Sequence, residues 1–216
     1  LLVADDHPLF RRALAQAVRD RIPVRAIHEA GTVEEARAVL QAQAGIDLLL
    51  LDLHMPGSRG LMGLASLRAQ FPATAVVMIS AHEDPRTVHR ALAMGAAGFI
   101  PKSADPDVIC AAVGTLLAGG EWLPDDLAIA PTRPPDDDDV HLAARLANLT
   151  AQQHRVLELV ADGLLNKQIA DRLEIQERTV KAHLTAIFER LGVRNRTQAG
   201  ILLRSLDLPD PSRDLP

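Results

Sequence analysis

The chain has 216 residues and a formal net charge of −5, enough length for one or two domains with proper cores. Nothing in it approaches the roughly 18-residue apolar run of a membrane span, no basic stretch leads into an apolar secretory signal, and one cysteine, Cys110, excludes a disulfide framework or a Cys-based zinc cage. Aromatic residues are 2% with no tyrosine, which argues against base-stacking platforms, and an acidic chain taken whole is a poor candidate for nucleic acid.

Five short apolar runs punctuate the first half: Leu1–Ala4, Val24–His28, Ile46–Leu51, Ala75–Ile79 and Ala97–Ile100. Such runs suit parallel strands buried on both faces. The chain opens inside the first, so a few preceding residues are expected. Helical segments lie between the runs. Thr32–Glu35 reads as a capping box. Asp84–Pro85 and Asp105–Pro106 each place an acid at the N-cap and proline at the first helical position. Gly119–Gly120 ends the last helix. Five βα units within residues 1–122 predict a doubly wound α/β domain, with its site at the carboxyl ends of the strands.

That rim collects chemistry. Asp5 and Asp6 follow the first strand, Asp52 ends the third, Ser80 ends the fourth, and Lys102 follows the fifth. Taken singly, these read as helix caps, a strand-end hydroxyl and a solvated lysine. Taken together, three converging carboxylates repel unless they are protonated or neutralised by a cation. A hard cation such as Mg²⁺ suits that oxygen set, and lysine and serine then complete a cradle for a phosphoryl group.

Asp5–Asp6–His7–Pro8, Asp52–Leu53–His54–Met55–Pro56–Gly57, Ser80–Ala81 and Gly98–Phe99–Ile100–Pro101–Lys102 closely resemble a response-regulator receiver domain. The resemblance implies a flavodoxin-like fold, with Asp52 as phosphoryl acceptor. It further implies Mg²⁺ on Asp5, Asp6, Asp52 and the backbone carbonyl of His54, Ser80 and Phe99 as switch residues, and Lys102 as the charge that steadies the acceptor. On phosphorylation Ser80 swings toward the phosphoryl group, and Phe99 is expected to turn inward into the space vacated. Arg59 stands near the site where the family often has an acidic or amide residue.

Residues 123–147 carry six acidic and two basic residues, several prolines and the run Asp136–Asp139, and read as an extended, solvated linker. Residues 148–208 form the second domain and 209–216 a tail. Between 148 and 206, nine basic residues face six acidic ones, so this part alone is positive, at +3.

Its pattern is helical throughout, so an all-α four-helix unit is expected after the α/β domain. Thr150 and Gln153 form a capping box, with Val156, Leu157 and Val160 as the apolar stripe and Gly163 as the stop. Asn166 is placed as the cap of a short second helix. The third runs to Leu191, with Val180, Leu184, Ile187 and Leu191 on one face and Arg178, Lys181, Ala182, Thr185 and Glu189 on the other. Arg194 and Arg196 open a fourth. A tight helical pair whose second member shows short and basic side chains suits a major groove, though a bundle with a solvated face has the same pattern.

Gly163–Ala170, Thr179–Leu184 and Leu191–Ala199 closely resemble a LuxR-type helix-turn-helix. Behind a receiver, this makes the chain similar to NarL/FixJ-type response regulators. The resemblance places Lys181, Ala182 and Thr185 toward base edges, and Lys167 and Thr179 at backbone-contact positions. Arg178, Arg194 and Arg196 join the expected DNA-binding set. Gln176 stands where a serine-like cap is common, which weakens the start of the recognition helix.

The expected function is therefore phosphorelay signalling in the cytoplasm. A partner histidine kinase phosphorylates Asp52, and this controls homodimerisation and binding to a double-stranded operator. No enzymatic turnover is expected beyond weak autodephosphorylation. One alternative is DNA binding independent of phosphorylation. Another is a Mg²⁺-dependent aspartyl-phosphate phosphatase, disfavoured because His54 occupies the usual general-acid position.

Overall fold

The computed structural model describes residues 1–55, 60–81, 84–120, 122–123, 137–204 and 206. The five strands are β1 (Leu2–Ala4), β2 (His28–Ala30), β3 (Leu48–Asp52), β4 (Ala75–Ser80) and β5 (Gly98–Pro101). They form one parallel sheet in the order β2-β1-β3-β4-β5, the flavodoxin-like winding. Alternate side chains serve opposite faces. Leu2, Ala4, Leu49, Leu51, Val76, Met78 and Phe99 line one, and Val3, Leu48, Leu50, Val77, Ile79 and Ile100 the other.

Helices α1 (Pro8–Arg21) and α5 (Pro106–Leu117) cover the second face through Leu14, Val18, Ile109 and Val113. Helices α2 (Val33–Ala42), α3 (Leu61–Gln70) and α4 (Pro85–Ala93) cover the first through Val33, Ala36, Leu64, Leu67, Val88 and Ala91. Capping follows the sequence. Thr32 Oγ1 accepts from the Glu35 amide, while Asp84 and Asp105 accept from Thr87 and Asp107. Beyond α5, the backbone of Trp122 pairs with Gly98. That approach needs glycine: a Cβ at residue 98 would lie 2.7 Å from the Trp122 carbonyl oxygen.

Two expectations are corrected. The second strand is His28–Ala30, not Val24–His28. Its register pairs His28, Glu29 and Ala30 with Leu2, Val3 and Ala4, and the more apolar Val24 and Ile27 pack beneath the sheet instead. Part of the expected extended linker is helical. Helix α6 (Asp137–Ala147) buries Leu142, Ala143 and Leu146. Residues 124–136 and the tail from 207 onward lie outside the described residues.

The second unit contains α7 (Ala151–Ala161), α8 (Asn166–Leu173), α9 (Glu177–Leu191) and α10 (Arg196–Arg204). Its core, including Val156, Leu157, Ile169, Val180, Leu184, Ile187 and Leu191, is continuous with the α2–α4 side of the sheet. Helix α6 touches α3, α4 and α9, while α7 rests on α3. Helix α3 explains the continuity. Every residue from Leu61 to Leu67 is buried, as expected of a helix covered on all sides.

Candidate functional site

The carboxyl edge of the sheet brings Asp5, Asp52, Ser80 and Lys102 together. Asp52 is the last residue of the central strand β3 and is 2% exposed, and Asp5 follows β1 at the same depth. Lys102 follows β5, and its amide donates to the Ser80 carbonyl at 2.7 Å, which ties the end of β4 to the lysine. Lys102 Nζ then reaches Asp5 Oδ2 at 2.7 Å and Asp52 Oδ2 at 2.9 Å. Burial alone would lower the Lys102 pKa. Hydrogen bonds and charge from Asp5 and Asp52 outweigh it and hold the ammonium above its ordinary value. The Phe10 ring lies 5.1 Å from Nζ and gives the stem a cation–π wall.

Asp6 sits beside this pair, with Oδ1 2.7 Å from His7 Nδ1. One ligand atom from each of Asp5, Asp6, His7 and Asp52 falls within a 4.8 Å cluster. Three carboxylates around one ammonium leave the pocket with excess negative charge. The oxygen-rich donor set therefore fits a hard divalent cation. Residue 54 stands beside Asp52, its amide 3.4 Å from Asp52 Oδ1. Ser80 is fully buried at the rim.

Phe99 occupies the inward position. It is already wholly buried in the core on the α4 side, so no outward-to-inward turn remains for it in this state. Arg59 lies outside the described residues. The sequence reading missed Arg11. Its Nη1 donates to the Asp5 carbonyl at 2.6 Å and its Nε to Glu29 at 3.3 Å, clamping the loop that carries the acidic pair. The only sequence signal is a basic residue one helical turn beyond Asp6–His7.

In the second unit, Thr150 and Gln153 form the expected reciprocal cap, at 2.9 and 3.3 Å. Arg178, Lys181, Ala182 and Thr185 lie exposed along α9, and Lys167 and Arg194 are exposed nearby. Lys181 Nζ pairs with Glu177 at 2.9 Å within the helix. Thr179 is half-buried. Gln176 makes no side-chain cap, leaving the α9 start without that bond. Asn166 is the first residue of α8 rather than its cap, and Gln168 Oε1 takes the Leu165 amide instead. Arg196 turns inward. Its Nη2 donates to the carbonyls of Leu164 and Val160, and its Nη1 approaches Asn166 at 3.5 Å. This guanidinium joins α10 to the α7–α8 turn rather than standing free for phosphate.

The comparisons with known proteins agree with this geometry. Residues 1–114 match the model of the response regulator receiver domain, and residues 147–203 that of the bacterial regulatory proteins of the luxR family. The chain is 39% identical to a glycerol metabolism activator of Pseudomonas putida, over 96% of each chain. It is 30% identical to the nitrate/nitrite response regulator NarL of Escherichia coli, over 93% of each. Its fold resembles that of the response regulator RcsB in a DNA complex, with TM-score 0.55, 21% identity and 95% of each chain covered. The chain belongs to the NarL/FixJ-type response regulators, a receiver domain joined to a LuxR-type DNA-binding domain.

Proposed function

We infer that this response regulator accepts a phosphoryl group on Asp52 from a partner histidine kinase and thereby controls transcription through its α9 helix. The observation carrying this reading is the single ammonium of Lys102 shared between Asp5 and Asp52 at the carboxyl end of the sheet. Asp52 Oδ attacks phosphorus, and the bond from phosphorus to the donor imidazole nitrogen breaks. Lys102 faces the charge that develops on the phosphoryl oxygens. Bound Mg²⁺, held by Asp5, Asp6 and Asp52, would offset the repulsion between carboxylates and incoming phosphate. Ser80 then has a phosphoryl oxygen to bond at the rim. Beyond self-dephosphorylation, the chain is read as an acceptor and not as a phosphatase for other substrates, since residue 54 is histidine rather than the second carboxylic acid that such phosphatases place there.

At the other end, Lys181, Ala182 and Thr185 read base edges, while Lys167 and Arg194 contact phosphates. Homodimerisation on a two-part operator multiplies the weak affinity of a domain that is only +3. The test is labelling by acetyl phosphate with Mg²⁺, followed by phosphate-affinity electrophoresis. Wild type shifts and Asp52→Asn does not; equal labelling of the variant refutes the assignment.

A further inference from the structure

Arg37 is the most deeply buried arginine among the described residues, at 2% exposure, on a receiver helix that reads as ordinary surface. Its Nη2 meets both carboxylate oxygens of Glu158 at 3.1 Å, across 121 residues and the boundary between the domains. Nη1 holds Glu34 at 2.6 Å, and Nη2 also touches Ser66 Oγ on α3 at 3.3 Å. The contact thus joins α2, α3 and α7 at one point. Burial pushes the Glu158 carboxyl up, while the Arg37 charge and the Ser66 hydroxyl pull it back.

A buried pair of this kind is a better device for fixing one arrangement than for adding stability, because losing Arg37 leaves the Glu158 carboxylate buried without its counter-charge. Helix α3 supplies the apolar half of the same contact. Its run Leu-Met-Gly-Leu-Ala-Ser-Leu has no polar face to show to solvent, so it needs cover on the side away from the sheet. The cover is α6 and α7.

The docked arrangement leaves the DNA-reading side open. Arg178, Lys181, Ala182 and Thr185 are exposed while Glu158 is engaged. On α10, Ile201 is 63% exposed.

We propose that the α2–α3 surface of the receiver is a dedicated docking face for α7 of its own DNA-binding domain, latched by Arg37 and Glu158. In this arrangement the latch fixes the two domains as one body without masking the recognition helix. Docking here positions the α9 helix; it does not shield it.

The test compares unphosphorylated full-length wild type, Arg37→Glu, Glu158→Arg and the double exchange. Small-angle scattering reads compactness: a single body of this length has a radius of gyration of about 17 Å, and each single reversal should raise the value by about 2 Å or more. The double exchange restores the pair and should return it to the wild-type value. Unchanged compactness in a folded single variant overturns the latch. Should the single variants fail to fold by circular dichroism, the double exchange decides: compact supports the latch, expanded overturns it. Affinity for a labelled random-sequence 30-base-pair duplex, in about 50 mM salt, tests the open face. Wild type and the opened variant should agree within about threefold; tenfold tighter binding by the opened variant overturns the unmasked arrangement. Neither arm uses phosphorylation, so its result is independent of the Asp52 assignment.

Discussion

Lys102 serves two carboxylates with one ammonium, and this sharing sets what its loss would do. A neutral side chain would leave Asp5 and Asp52 facing each other across a buried pocket, with nothing aimed at the incoming phosphoryl oxygens. Lys102→Met is therefore expected to slow Mg²⁺-dependent labelling by about 10²-fold, as when a fixed charge-stabilising group is removed. A time course with acetyl phosphate measures it, and near-wild-type labelling would contradict the role. The cluster of Asp5, Asp52, Ser80 and Lys102 was legible in the sequence because each member sits at a strand end, where winding order dictates convergence. Arg11 was not, because its partner is a backbone carbonyl, which any residue supplies. Arg37 was hidden for another reason. Its partner lies 121 residues away, and an arginine on an alanine-rich helix ordinarily faces water.

Among the elements, the recognition helix starts without a side-chain cap. Gln176 gives the first turn of α9 no side-chain cap bond, only its backbone carbonyl, which accepts from the Thr179 amide at 2.8 Å. Gln176→Ser should supply that side-chain bond and stabilise the DNA-binding unit by about 1 kcal/mol, read from urea denaturation. A destabilised variant would mean that Gln176 holds the turn in some other way. β2 shows where apolar periodicity misleads. Val24–Ile27 is the more hydrophobic stretch, but an edge strand of His-Glu-Ala satisfies the backbone ladder to β1 while Val24 and Ile27 fill the space beneath. Likewise, the aspartate run read as solvated chain, because its charge is visible locally and the burial of Leu142 and Leu146 is a tertiary fact.

At the scale of the molecule, one core spans both domains, and a neutral histidine is sealed within it. His154 is fully buried on α7, with Nε2 3.0 Å from the Leu146 carbonyl. Burial lowers its pKa from 6.5 to about 4, and the nearby Arg37 charge pushes the same way against the Leu146 bond. Between these values the unfolded chain binds a proton that the folded chain refuses, so stability falls as the pH drops from 6.5 toward 4. The loss amounts to roughly 3 kcal/mol at the acid end. Denaturation midpoints measured from pH 7.5 to 4.5 should show this slope, and His154→Gln should flatten it; an equal slope in the variant would place the acid sensitivity elsewhere. Whole-chain charge was a poor guide for a related reason. The −5 is distributed mostly to the acidic pocket of the receiver, the linker and the tail, and recognition depends on the local field at α9.

The pairing of Trp122 with Gly98 has a practical consequence. The chain has one tryptophan and no tyrosine, so its near-ultraviolet emission comes from a single indole. That indole belongs to a residue hydrogen-bonded beside the strand that carries Phe99 and leads into Lys102. The protein thus contains its own optical probe of β5. Adding beryllofluoride with Mg²⁺ should shift the intensity or wavelength of this emission in wild type and leave Asp52→Asn unchanged. A silent wild-type spectrum would mean that the phosphoryl pocket is filled without disturbing the neighbourhood of β5.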